Sequence, residues 1–471
     1  MTNTLNIERL TPLDLIMPRT YVSAHLAFRT TEPIPSILPR IQHGLEGLSK
    51  QLPWLSGKVH PTTVADGEAP GLELRWDADQ PVLAVVDKGT IEESFETLSA
   101  EGMPPSALPT GVWPVPSMID EALYARGATI FGASLFRFGD GRGVGLCISI
   151  HHNAVDATGF AEIVKLLVQN IAASEHSSLV SFGTGRLNQL SQALSSDLST
   201  VSSESTDNLF ASHPEYSKAP PAFPSEFPSS TSKVLTIPIA RINSIKEAFS
   251  KSMSKTPTTN TVVSALLWSA ITRARLQRNS TLAGETSRLA MAVDGRRRIG
   301  DKLSTPETPY IANAVLYSLA KLSVEDLNNS SAEDMEQSLS KVCDVISQSQ
   351  SSTAITPRHI AEVYSLTDRV EDYRTIFVGW DLFSSRDLTI TSWADLDLYN
   401  LNFGSDLGKP EFIRVPYTEA DGVALVLPRK REVGDADASG ETIEVMVMLR
   451  RDDMAVLEND GLWKTLEALR E

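Results

Sequence analysis

Apolar positions recur along this chain with two distinct periods. Tyr21 to Arg29 puts Val22, Ala24, Leu26 and Phe28 on one face, the two-residue period of a strand. From Ser36 to Leu52 the period lengthens, and Ile37, Ile41, Leu45 and Leu48 form the stripe of an amphipathic helix. Leu72 to Trp76 and Val82 to Val86 read as further strands. Phe131 to Phe138, the turn Gly139-Asp140-Gly141 and Val144 to Ile150 make a hairpin. Behind it, Phe160, Ile163, Val164, Leu167 and Ile171 line one helical face, with Glu162, Lys165 and Gln169 opposite. The later chain repeats the mixture. Val234 to Ile237 is a short strand that Pro238 ends or places at an edge. Helices are expected over Ile242–Ser252, Thr261–Gln277, 331–350 and near 452–469. Strands are expected over Leu289–Val293, 386–392, 422–427 and 442–449. No fixed repeat is present. Strands and helices mix in both halves, so the expected class is α/β.

Two stretches break the periodicity. Residues 100–120 are rich in proline and read as an irregular loop. Residues 174–232 are rich in serine and carry Pro214, Pro220, Pro221, Pro224 and Pro228, the composition of a crossover with little regular structure. With 471 residues the chain exceeds one typical core. The expected division is 1–185, a crossover at 186–232, and 233–471.

Composition narrows the partners. Hydrophobic residues are 41% and charged residues 21%, as in a globular protein. A net charge of -17 disfavours nucleic acid and anionic membrane surfaces. Cys147 and Cys343 stand far apart, outside any disulfide framework or Cys/His metal spacing, and no metal is expected. Met1 to Glu8 lacks a basic and apolar leader pattern, and no apolar run is long enough to span a bilayer. These features lead us to expect a cytoplasmic monomer.

One stretch concentrates chemistry: Ile148-Ser149-Ile150-His151-His152-Asn153-Ala154-Val155-Asp156-Ala157-Thr158-Gly159. It joins the hairpin's second strand to the following helix. Adjacent strand residues point to opposite faces, so His151 and His152 do not converge on one metal ion. If the strand persists, His152 shares the side of Val144, Leu146, Ile148 and Ile150. A neutral imidazole there suits proton abstraction from a hydroxyl or amine; a hydrogen-bonded core histidine is the bland alternative. Asp156 caps the helix, binds an arginine, or orients His152, and the first two roles suit a helix start better. A Gly-x-Ser-x-Gly nucleophile elbow is absent. Trp268, within an apolar helix, reads as core.

His152-Asn153-Ala154-Val155-Asp156 resembles the HxxxD motif of the BAHD acyltransferases, and other segments match in order. Leu10 to Tyr21 resembles the family's opening, particularly in fungal members. Thr258-Thr259-Asn260 through Arg275 resembles its STxxxxxAxxWxxxxxAR helix. Asp294-Gly295-Arg296-Arg297-Arg298, followed by Tyr310 to Val315, resembles its DGRxR and YFGNxV pair. Thr391-Ser392-Trp393 and Asn402-Phe403-Gly404 through Pro410 stand where it has TSW and DFGWGKP.

The resemblance implies two pseudo-similar domains of the chloramphenicol acetyltransferase type, with mixed sheets, flanking helices and a central channel. It implies transfer of an acyl group, acetyl by default, from acyl-CoA as co-substrate to a hydroxyl of a secondary metabolite. His152 would be the base, with Asp156 in support and Trp393 at the oxyanion. Thr258, Thr259, Thr391 and Ser392 would meet the CoA arm, and Asp294, Arg296, Asn313, Asn402 and Gly404 would serve structure near the site. The family's DFGWG aspartate pairs with an arginine of the DGR region. Asn402 cannot, so Asp406 replaces it, the arginine is exposed, or it pairs elsewhere. Three rival readings share the motif. A condensation-type enzyme would use a carrier-protein thioester, but it would have glycine where Ala157 stands. The same base could serve cyclisation or carbon–carbon bond formation. A catalytically idle homologue would only bind ligand.

Overall fold

The computed structural model describes residues 5–63, 69–77, 82–172, 185–249, 255–328, 335–431 and 440–460. Two mixed sheets face one another across the centre. The first has five strands in the order Phe412–Arg414, Tyr21–Arg29, Gly143–His151, Phe131–Arg137 and Val85–Thr90. The second has six, in the order Ser230–Pro238, Thr442–Arg450, Val423–Val426, Leu388–Ser392, Thr286–Asp294 and Val315–Ser323. Each contains parallel and antiparallel pairs. The strand ending at Pro238 is an edge strand, where the missing N–H is harmless.

The expected hairpin holds, with Leu135 opposite Leu146 and Ala133 opposite Ile148. Its apolar face packs on the helices Ile34–Gln51 and Ala157–Ala172. These two helices approach closely because Gly44 and Gly47 lie between them. A Cβ on Gly47 would stand 2.7 Å from Asn170 Oδ1, and one on Gly44 2.5 Å from Ile171 Cγ1. The second core surrounds the helix Thr259–Arg278. Trp268 is core there, its indole N–H donating to Ser287 Oγ at 2.9 Å.

The chain does not segregate at the crossover. Phe412–Arg414, from the late part of the sequence, adds the edge strand of the first sheet by pairing with Leu26 and its neighbours. Arg414 is fully buried there. It donates to the carbonyls of Gly102 and Met103 and forms a two-point pair with Glu444, on a strand of the other sheet, at 2.7 and 2.9 Å.

Residues 186–217 also differ from their composition. Three helices, Arg186–Ala193, Ser195–Val201 and Thr206–Ser212, fold against the helix Pro357–Arg369. Leu190, Leu194, Val201 and Leu209 supply their buried faces, which the many serines hide from a simple reading. Residues 250–252, 331–334 and 461–469 of the expected helices lie outside the described residues. Among the described residues, no helix is long and apolar enough to cross a membrane.

Candidate active site

The strand carrying the double histidine ends at His151, and His152 begins a turn. The His152 N–H donates to Thr20 O at 2.8 Å, and its carbonyl accepts from Asn313 Nδ2 at 2.9 Å. This corrects the expectation from strand alternation. Ile148 and Ile150 stay in the core, while the turn sends His152 into a cavity that Ser23 and Ser149 also line. His151 is buried against Tyr21 and accepts the Asn153 N–H on Nδ1 at 3.2 Å. Burial, then the neighbouring His152, lowers its pKa to about 3, so it is neutral and structural.

Asp156 is tied to everything except His152. One oxygen caps the next helix by accepting from Gly159 N at 3.0 Å. Both oxygens take a two-point pair from the Arg296 guanidinium at 2.9 and 3.0 Å, and Ala314 N adds a bond of 2.9 Å. Arg296 is buried and also bonds Asp294 Oδ1 at 3.1 Å and the carbonyls of Tyr310 and Ala312. A Cβ at Gly159 would stand 1.9 Å from Ile311 O, so the 310–314 chain can lie over the helix start only with glycine there. Asn313 joins this cradle to Asp14, whose Oδ1 it bonds through N at 3.0 Å and Nδ2 at 2.8 Å.

The cavity measures about 560 Å³ and draws its walls from both sheets. His152, just past the first sheet's second hairpin strand, and Thr391 and Trp393, at the end of a strand of the second sheet, all line it. The Trp393 ring packs on Phe160 with centroids 5.8 Å apart. Leu108, Val415, Leu425 and Met448 make much of the lining apolar, and hydroxyls such as those of Tyr21, Ser23, Ser149, Thr389 and Tyr417 are interspersed among them. Burial lowers the His152 pKa below its ordinary value, and the charge of Asp156 is among the influences that pull the other way. Its Nδ1 is buried without a hydrogen-bond partner among the described residues.

The model of the Transferase family matches residues 120–462. The chain belongs to this family. A model described as a trichothecene 3-O-acetyltransferase-like N-terminal domain matches residues 20–170. The chain is 25% identical to trichothecene 8-O-acetyltransferase of Fusarium sporotrichioides, with 96% of each covered. It is 27% identical to O-acetyltransferase astG of Aspergillus oryzae, covering 89% of this chain and 94% of that one. The crystal structure of F. sporotrichioides TRI101, complexed with coenzyme A and T-2, has a TM-score of 0.79 at 19% identity, covering 98% of this chain and 99% of that one. That likeness establishes the shared two-part α/β fold.

The other motif positions of this transferase family member divide. Thr391 reaches the cavity, whereas Ser392 is absent from its walls. Thr258 and Thr259 also lie outside the walls. The Thr258 hydroxyl caps the long helix by accepting from Thr261 N at 3.1 Å, and Thr259 sits 3.5 Å from Lys246 Nζ. Asn402 is exposed and accepts the Gly404 N–H at 3.0 Å, and Gly404 takes a φ of 94°, a conformation suited to glycine. The question raised by Asn402 has a definite answer. Arg296 pairs with Asp156 and Asp294, while Asp406 pairs with Arg40 at 3.2 Å. Arg297 is 70% exposed and Arg298 donates to Gln350 O at 2.6 Å, so neither needs a buried carboxylate from the 402 loop.

The sequence reading had no role for Asp14. Its local signal was present: Thr11 and Asp14 have the spacing of a capping box, and the structure forms one. That box positions the carboxylate that holds Asn313.

Proposed function

We propose that this chain is an acyl-CoA-dependent O-acetyltransferase acting on a hydroxyl of a mainly apolar secondary metabolite, with His152 as general base. One observation carries the mechanism. His152 reaches a cavity shared by both sheets while its neighbouring carboxylate is spent on Arg296. The imidazole therefore works alone, as a base of modest strength kept neutral by burial. The names of the relatives supply the acetyl donor and the hydroxyl acceptor.

In this reading Nε2 takes the acceptor's hydroxyl proton, because Nδ1 is enclosed. The oxygen forms a bond to the thioester carbonyl carbon, and negative charge moves to the carbonyl oxygen. The Trp393 indole N–H is the donor assigned to that oxyanion. The carbonyl re-forms as the carbon–sulfur bond breaks, and the proton held by His152 passes to the departing thiolate. Direct transfer fits the cysteines, since Cys147 and Cys343 are buried and burial raises both thiols. No serine hydroxyl is bonded to His152 among the described residues. Thr258 and Thr259, with Lys246 beside them, are assigned to the outer arm of CoA, beyond the reaction cavity.

The cavity volume suits a drug-sized acceptor, and the hydroxyls among its apolar walls would orient it. Incubation with acetyl-CoA and a panel of hydroxylated terpenoid and alkaloid metabolites tests the proposal. Free CoA thiol and a product heavier by one acetyl group should appear together. Turnover only with a carrier-protein thioester would favour the condensation-type reading. Product formation without thiol release would point to repurposed chemistry.

A further inference from the structure

The crossover and the helix Pro357–Arg369 meet at side chains that the acyl-transfer site does not use. His213 follows the helix Thr206–Ser212 and is buried. Its Nδ1 lies 3.0 Å from Glu215 Oε1, and its Nε2 lies 3.1 Å from Glu362 Oε2. His359 Nε2 lies 3.2 Å from the same Glu215 oxygen, yet among the described residues it has no aligned hydrogen-bond partner. The two imidazole rings stand at 75° with centroids 4.6 Å apart. One donor atom from each of His213, Glu215 and His359 falls within 4.8 Å of the others.

We propose that His213, Glu215 and His359 form a site for a divalent transition-metal ion, zinc in the first instance, which ties the crossover to the helix Pro357–Arg369. Two imidazoles and a carboxylate are a donor set that suits zinc. Donors at ordinary zinc distances on a tetrahedral ion stand about 3.3 Å from one another. The separations of 3.0 and 3.2 Å from the Glu215 oxygen need only small adjustment. Glu362 supplies a further mark of a built site. A metal-bound histidine commonly passes its other N–H to a carboxylate, and His213 has Glu362 on that side, itself held by Arg358 at 2.8 Å.

The donors are also fixed before any ion arrives. His213 N–H donates to Leu209 O and His213 O accepts from Tyr216 N, both at 3.0 Å. Glu215 O accepts from Gly379 N at 2.8 Å, and a Cβ on Gly379 would stand 1.9 Å from Pro214 O. His359 sits in the first turn of its helix, its N–H donating to the Thr356 hydroxyl at 3.1 Å. Three protein donors leave a fourth position for water. The ion would also stiffen one approach to the reaction cavity, because Tyr216 abuts Tyr317, a cavity wall residue.

The test uses the full chain, stripped with a chelator and dialysed against zinc. Elemental analysis should find one zinc per chain, and melting temperature should rise with zinc. Cobalt in its place should give the visible bands of a four-coordinate ion. His359→Ala, at a partly exposed position, should lose the bound metal while keeping its circular dichroism. Glu362→Gln should weaken zinc about 10–100-fold. Failure of the parent protein to hold stoichiometric zinc overturns the proposal, which leaves only a proton-sharing clamp. Retention of zinc by both His359→Ala and Glu215→Gln overturns it equally. Neither result bears on acetyl transfer, which is read separately by thiol release.

Discussion

His152 and Trp393 face one cavity from opposite sheets, but they are held by different forces. Around His152 the support is ionic: hydrogen bonds and ion pairs join Asp156, Arg296, Asp294, Asn313 and Asp14 in a cradle, with Asn313 Oδ1 left unpartnered among the described residues. Around Trp393 the support is backbone pairing and apolar packing, with its backbone N–H donating to Val426 O at 2.8 Å and its ring on Phe160. Charged cradles tolerate no missing member, since an unpaired buried ion is costly. Apolar walls accept changes of size at a smaller penalty. The His152 side is thus held by a network that resists substitution, and the apolar wall on the Trp393 side can change size at less cost.

The sharpest way to break the comparison is His152→Ala. Turnover should fall about 1,000-fold, within the usual range for loss of a general base. Stability should move much less, because the Asp156–Arg296 pair does not depend on the ring. Thiol release and a thermal melt read the two effects separately, and an equal loss of stability would make His152 structural. Arg296→Met should act in the reverse order. It strands Asp156, so unfolding in urea should lose roughly 3–5 kcal/mol, with activity falling as a consequence. A variant as stable as the parent would refute the ionic account of that side.

Trp393→Phe keeps the ring and removes the N–H. We expect kcat to drop about 100–1,000-fold with little change in acceptor KM, consistent with loss of one oxyanion donor. A KM effect alone would assign Trp393 to binding. The pH profile sharpens the contrast further. The neutral base is the active form, so kcat/KM should fall with acid, with a midpoint below the ordinary imidazole value of about 6.5. Stability should follow the same sign. His25 and His151 are held to about 3 by burial, whereas an unfolded chain protonates them near 6.5. Their contribution is intact above that pH and declines as pH falls towards 3, which urea midpoints across the range would show. The smallest effect belongs to Leu425→Ala. It enlarges the apolar wall and should shift preference between acceptors by roughly 10-fold, about 1–2 kcal/mol, without touching thiol release from the best one.

Much of this arrangement was legible. The periodicities at Tyr21–Arg29 and Ala157–Ala172 located two elements beside the cavity, and the pattern at Thr259–Arg278 located the helix at the centre of the second core. The HxxxD pattern located His152 and Asp156, and the preference for a cap or ion pair at Asp156 is met by both. Other features were hidden for physical reasons. A three-residue strand such as Phe412–Arg414 is too short to show a period, and its partner lies far away in sequence. Val315–Ser323 follows a motif whose irregular backbone masked the strand behind it. Asp14 shows its capping box locally, but nothing near it in sequence announces Asn313. His152 left its strand because a turn began one residue early, a boundary that alternation alone does not fix.

The late edge strand also bears on how the molecule is made. While the chain emerges from the ribosome, Tyr21–Arg29 can pair with Gly143–His151 on one side as soon as the hairpin is out. Its other side must wait for Phe412–Arg414, and Arg414 must wait longer for Glu444. Throughout that interval the first sheet presents an unpaired edge, the feature most prone to joining a neighbouring chain. Fusions or truncations that delay residues 412–444 should therefore be felt first as aggregation of nascent chains, well before any defect at His152 is measurable.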